Sequence, residues 1–182
     1  MGAFPFSSLP NLITLGRLIL VPMIISAIAD GRWTLTFSGF LLAGISDAID
    51  GFLARRFGWK SQLGAYLDPV ADKALLVSIY IALALANVVP ATLAIIVVSR
   101  DVMIVGGVII CWLMHNPLEI RPLLISKLNT TAQIAFAAAV LGGKAFSVSF
   151  GLWFDASLVL VAVLTLGSAA AYLRQWLAHV TD

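Results

Sequence analysis

Long stretches without a single Asp, Glu, Lys or Arg dominate this 182-residue chain. They cover residues 18–29, 33–46, 74–99, 102–118, 128–143 and 156–173. Charged residues make up only 11% of the chain and hydrophobic ones 61%, where a soluble domain carries about 25% charged and 45–50% apolar residues. So few charges cannot cover the water-facing surface of a soluble protein of this length. An ordinary soluble domain, a disordered chain and a nucleic-acid binder with a basic face are therefore excluded. What remains is an integral membrane protein built as one compact unit.

A helix needs roughly 20 residues to cross a bilayer. Several runs reach that length only if the charges at their ends also enter the membrane. The run 74–99 is interrupted by Asn87-Val88-Val89-Pro90, which reads as a turn between two spans. The expectation is an all-α bundle of six transmembrane helices over about 11–29, 33–55, 64–87, 91–114, 126–143 and 150–173, forming a single membrane domain over 1–182. Residues 1–10 hold no Lys or Arg, so a cleaved signal peptide is not expected. The single cysteine, Cys111, lies in an apolar run and reads as a small buried hydrophobe.

Six spans put both termini on one side. Arg55, Arg56, Lys60, Arg121, Lys127 and Arg174 fall on that side, against Arg32 and Lys144 on the other. Positive residues gather in cytoplasmic loops, so both termini are expected in the cytoplasm, in a multi-pass protein of a bacterial inner membrane. Trp33, Trp59, Trp112, Trp153 and Trp176 lie near span ends, where an aromatic belt would place them.

Charges inside the spans carry the functional signal. They are Arg17, Asp47, Asp50, Asp68, Asp72, Lys73, Arg100 and Asp101. A charge at the bilayer centre costs about 2.5–3.5 kcal/mol even on the lenient scale, so such residues face partners or a cavity. Asp47 and Asp50 are spaced i, i+3 near the end of the second span, and Asp68 and Asp72 i, i+4 near the start of the third. Each pair occupies one helix face, and the short connection brings both pairs to one membrane depth. Four converging carboxylates need counter-charge. Two divalent cations would supply it, and oxygen-only ligands suit Mg²⁺ or Mn²⁺ rather than zinc. Paired metals of this kind support phosphoryl displacement. Gly44, Gly51, Ala54, Gly64 and Ala65 flank the acids, where small residues admit close helix packing or a ligand. Arg55, one turn after Gly51, could reach a phosphate oxygen.

Arg100 and Lys127 are the cations available for an acceptor's phosphate. Arg17 either assists them or pairs with Asp101. Arg100 and Asp101, adjacent on a helix, are not expected to face each other. Lys73 reads as a residue that snorkels to the headgroups. His115 and His179 have no assigned role.

Residues Asp47 to Arg55 and Gly64 to Asp72 match the pattern D-x2-D-G-x2-A-R-x8-G-x3-D-x3-D at all eight fixed positions. In this the chain resembles the CDP-alcohol phosphatidyltransferase family. Similarity extends over roughly residues 9–174, through Leu9-Pro10-Asn11 to Arg17, Ser99-Arg100-Asp101 and Ile125 to Thr130. The resemblance implies a six-helix membrane enzyme, a homodimer, with two divalent metals held by Asp47, Asp50, Asp68 and Asp72. It implies that Gly51, Ala54, Arg55 and Gly64 bind the CDP moiety, and that Asp72 is the base. It further implies CDP-diacylglycerol as donor and phosphatidylglycerol as acceptor, or alternatively glycerol 3-phosphate. An ion-coupled transporter is the remote alternative; it would be favoured by inverted repeats, which the sequence does not display.

Overall fold

The computed structural model describes residues 9–57, 62–113, 123–149 and 151–181. Six helices follow in order: α1 Leu9–Ala29, α2 Trp33–Phe57, α3 Gln62–Leu85, α4 Ala91–Leu113, α5 Leu124–Ala145 and α6 Leu152–Thr181. No strand occurs among the described residues. Helices satisfy their own backbone hydrogen bonds, which is what a chain in hydrocarbon must do. The expected spans match these helices closely at every N-terminus. The largest difference is at the end of α6, which runs to Thr181 rather than stopping near 173. Among the described residues four segments are long and apolar enough to cross a membrane: Leu12–Ala29, Trp33–Phe52, Leu124–Ala145 and Leu152–Leu177.

Tight turns join the helices on the side away from the acids. Gly31 takes φ 69° while the Arg32 amide donates back to the Ala27 carbonyl at 2.8 Å. Its lack of a Cβ permits that left-handed turn. The predicted turn at Asn87 is present: Asn87 adopts φ 56°, the Val88 amide bonds the Leu83 carbonyl, and Pro90 precedes α4.

The first three helices form one group, with α1 packed on both α2 and α3. The α4 helix packs on α3 and α6, and α5 lies between α6 and α2. Ile24, Ile28, Phe40, Ile79, Tyr80, Leu83, Leu93, Val97, Phe136 and Leu141 fill the shared core. Large apolar side chains such as Leu12, Ile19, Leu42, Ile95, Val163 and Leu166 remain exposed around the outside. In water that pattern would be an aggregation hazard; facing lipid it costs nothing. Among the described glycines the least room is at Gly39, where an added Cβ would lie 3.0 Å from Ile24.

Polar groups sit inside this apolar shell. Tyr80 donates to the Gln133 carbonyl at 3.1 Å, Gln133 Nε2 to Thr165 at 3.1 Å, and Thr165 to Asn129 at 2.8 Å. These bonds tie α3, α5 and α6 together where a lone polar group would be costly. At the opposite end Lys144 stands 5.6 Å from the centre of the Trp33 ring, a cation–π contact of the kind that anchors helices at an interface.

Candidate active site

Three helices bring the acids and one arginine to one place. α1 enters the bundle as α2 leaves it and α3 returns, so the N-terminal parts of α1 and α3 lie beside the C-terminal part of α2. Arg17 of α1 stands among the acids with its side chain fully buried. Its Nη1 lies 2.6 Å from Asp72 Oδ1 and 3.0 Å from Asp47 Oδ1, and its Nη2 lies 2.7 Å from Asp50 Oδ2. Asp50 is buried as well, at 4% exposure, whereas Asp47 and Asp72 are half open at 46% and 49%. The expected convergence of α2 and α3 carboxylates on one depth is therefore present for Asp47, Asp50 and Asp72. Asp68 lies on α3, but its side chain is outside the described residues, as are those of Ala54 and Arg55 and the surroundings of Gly64.

Arg17 corrects the charge accounting. Four carboxylates with two divalent cations as their counter-charge were expected; among the described side chains Arg17, assigned elsewhere by the sequence, is shared by three of those acids. Nor does Arg17 pair with Asp101, one of its two expected roles, because Asp101 is held elsewhere. Helix depth explains the outcome. Leu9 to Arg17 and Asp50 to Phe57 are nearly equal lengths of antiparallel helix, so the two residues meet at one level.

One guanidinium leaves the three described carboxylates with net negative charge. The donors are oxygens alone, half exposed at Asp47 and Asp72, which suits hard divalent cations. Among the described residues the acids gather on the guanidinium, and no ready-made group of three metal ligands is formed. The donor chemistry thus fits a divalent metal, with Arg17 lying among the acids that would bind it.

The small flanking residues divide. Gly51 is partly buried beside Asp50. Gly44 has no other group within 4 Å of where a Cβ would be, so close packing within the chain does not require it.

A second charged cluster lies across α3 and α4. Asp101 Oδ1 receives Lys73 Nζ at 3.0 Å and Arg100 Nη1 at 2.5 Å. The expectation that helix neighbours cannot pair fails here, because the long arginine side chain curls back to its own neighbour. Arg100 also donates through Nε and Nη2 to Ser168 Oγ at 3.2 and 2.9 Å, and through Nη2 to Ser126 Oγ. The Tyr172 ring lies 5.7 Å from its guanidinium carbon. Arg100 and Asp101 are 4% and 5% exposed. Lys73 therefore pairs with a buried acid rather than only snorkelling. Lys127 is exposed on the first turn of α5, one residue beyond Ser126. Ser168 and Tyr172 escaped sequence reasoning. Their only signal was polarity in an apolar helix, one turn apart on one face.

Comparison with known proteins places these clusters in context. Residues 7–177 match the CDP-alcohol phosphatidyltransferase family. A cardiolipin synthase (CMP-forming) of Rattus norvegicus is 32% identical over 181 residues, covering 91% of this chain and 60% of the rat protein. A probable cardiolipin synthase (CMP-forming) of Drosophila melanogaster is 34% identical, covering 91% of this chain and 56% of its own length. A chloroplastic CDP-diacylglycerol–glycerol-3-phosphate 3-phosphatidyltransferase of Oryza sativa subsp. japonica is 35% identical over 158 residues, covering 77% of this chain and 48% of its own. The chain thus spans about half to three fifths of the length of these relatives.

Proposed function

The chain belongs to the CDP-alcohol phosphatidyltransferase family, and we propose that it transfers a phosphatidyl group from CDP-diacylglycerol to phosphatidylglycerol, giving cardiolipin and CMP. The observation that carries this reading is the convergence of Asp47, Asp50 and Asp72 on one buried Arg17 inside an apolar bundle. The similarity to cardiolipin synthases over 91% of the chain supports the choice of acceptor. The similarity to a rice enzyme whose name specifies glycerol 3-phosphate keeps that acceptor as the second reading.

Asp47, Asp50, Asp68 and Asp72 would hold two divalent ions, Mg²⁺ or Mn²⁺, which when bound neutralise the pyrophosphate and stabilise the departing CMP. Gly51, Ala54, Arg55 and Gly64 would receive the CDP moiety. Asp72, half open and oriented through Oδ1 by Arg17, takes the proton of the acceptor hydroxyl. The hydroxyl oxygen then bonds to the phosphatidyl phosphorus as the bond from that phosphorus to CMP breaks. Arg17 keeps three mutually repelling carboxylates together before substrate arrives. With Arg17 committed to the acids, the acceptor's phosphodiester falls to Lys127, supported by Arg100 through Ser126. The apolar outer surface leaves both lipid substrates free to enter sideways from the bilayer.

We read residues 1–182 as one membrane domain, working as a homodimer, with the acids toward the cytoplasmic side of a bacterial inner membrane. The loop charges support this orientation.

The decisive experiment gives the purified protein labelled CDP-diacylglycerol with either phosphatidylglycerol or glycerol 3-phosphate, in Mg²⁺ or Mn²⁺. Cardiolipin and CMP are expected from the first acceptor. Turnover with glycerol 3-phosphate alone would replace the first reading by the second, and no product from either would overturn both.

A further inference from the structure

Asp101 is buried within the membrane-spanning bundle, and its Oδ1 receives two cations at once. Lys73 comes from α3 and directly follows Asp72, the assigned base. Arg100 comes from α4 and reaches Ser126 on α5 and Ser168 on α6. Ser126 directly precedes Lys127, the assigned acceptor cation. One carboxylate oxygen is therefore the junction of a path that begins beside the base and ends beside the acceptor's phosphate site.

We infer that Asp101 is a positioning residue that fixes the distance between Asp72 and Lys127, and with it the placement of the acceptor hydroxyl. This rests on the roles proposed above for those two residues. An acceptor gripped by its phosphate at Lys127 must present its hydroxyl to Asp72 in one geometry, since proton transfer works only over hydrogen-bond distance. The two residues lie on helices α3 and α5, whose narrow direct contact is made around Tyr80 and Gln133, more than a turn away from Asp72 and from Lys127. The linkage through α4 fixes the helix ends that lie beyond that contact. Losing the Asp101 charge would leave Lys73 and Arg100 without their shared anion. Their like charges would then separate, moving the turn that carries Lys127 relative to Asp72, which Arg17 continues to hold.

Asp101→Asn keeps the shape and removes the charge. Its specificity constant for the acceptor should fall by about ten- to hundredfold, the scale for small misplacements of reacting groups. Binding of CDP-diacylglycerol, measured directly on the purified protein, should stay within about twofold of wild type, because the donor's contacts are on α2 and the start of α3. Asp101→Glu retains the charge, and the flexible Lys73 side chain can absorb the added methylene, so it should recover most of the lost acceptor use. A merely structural residue would lower donor binding in parallel and would not be rescued by glutamate; either result overturns the inference, as does an unchanged acceptor constant. If Asp101→Asn fails to fold, Lys73→Gln cuts only the α3 side of the junction. It should show the same acceptor-selective loss, and unchanged acceptor use in that variant overturns the inference. Wild-type protein inactive with both acceptors would refute the proposed function itself, whereas active wild type with an unaffected Asp101→Asn refutes only the positioning role.

Discussion

Replacing Arg17 by methionine tests the arrangement of the acids most directly. Methionine keeps much of the side chain's length and apolar stem while removing the guanidinium. The largest effect falls on Asp50, buried at 4% exposure and 2.7 Å from Nη2. Breaking one partner of a buried ion pair costs about 3–5 kcal/mol, because the remaining charge stays in a low-dielectric site. Asp47 and Asp72 are about half exposed, so water screens them, and their lost pairs add only about 0–1 kcal/mol each. Burial therefore decides the magnitude, and Asp50 outweighs the other two acids. At about 2–4 °C per kcal/mol, the principal term corresponds to a fall of roughly 6–20 °C in melting temperature. The assay is a thermal melt in detergent with chelator present. Adding Asp50→Asn to Arg17→Met should restore most of the loss, because the buried charge that lost its guanidinium is gone. Adding Mg²⁺ should raise the single variant more than wild type, since a divalent cation replaces the missing positive charge. A single variant that melts within about 2 °C of wild type in chelator would refute the reasoning, since that is less than 1 kcal/mol on the same scale. So would a double variant that melts lower than the single one.

Asp50→Asn and Asp68→Asn should each abolish turnover while the protein still inserts and folds, and chelation should do the same until Mg²⁺ or Mn²⁺ is restored; a tenth or more of wild-type turnover at saturating metal would count against the assigned ligands. Lys127→Ala, at an exposed position, should reduce acceptor use by about tenfold, equivalent to one charge-assisted hydrogen bond, with no change in the melt. Arg100→Ala should lower both acceptor use and melting temperature, because its buried guanidinium bonds Asp101, Ser126 and Ser168; an unchanged melt would contradict that packing. Gly39→Val should destabilise by about 1–3 kcal/mol through overpacking against Ile24, only 3.0 Å from the added Cβ. Gly44→Ala has open space and should be neutral or stabilising by up to about 1 kcal/mol from helix propensity. Melts of these two glycine variants in the same detergent check both expectations.

Residue order alone determined the helices. Apolar runs of membrane-spanning length leave the backbone no alternative, because in lipid each segment must bond internally. The punctuation was equally local: Asn87 to Pro90 and Gly31 end helices through backbone restrictions that need no distant partner. The spacing of Asp47, Asp50 and Asp72 also announced a shared site, because helical periodicity and a short connection fix face and depth together. Partner choice was different. Arg17 was legible as a charge that must find an anion, but its selection of Asp47, Asp50 and Asp72 over Asp101 depended on where α1 settles between α2 and α3. Likewise the adjacency of Arg100 and Asp101 argued against pairing, until α5 and α6 supplied the serines that hold the guanidinium turned back on its own helix. Local sequence determines what a segment must become and which charges demand company. Which charge answers is a matter of distance between helices far apart in the chain, and tertiary packing alone decides those distances.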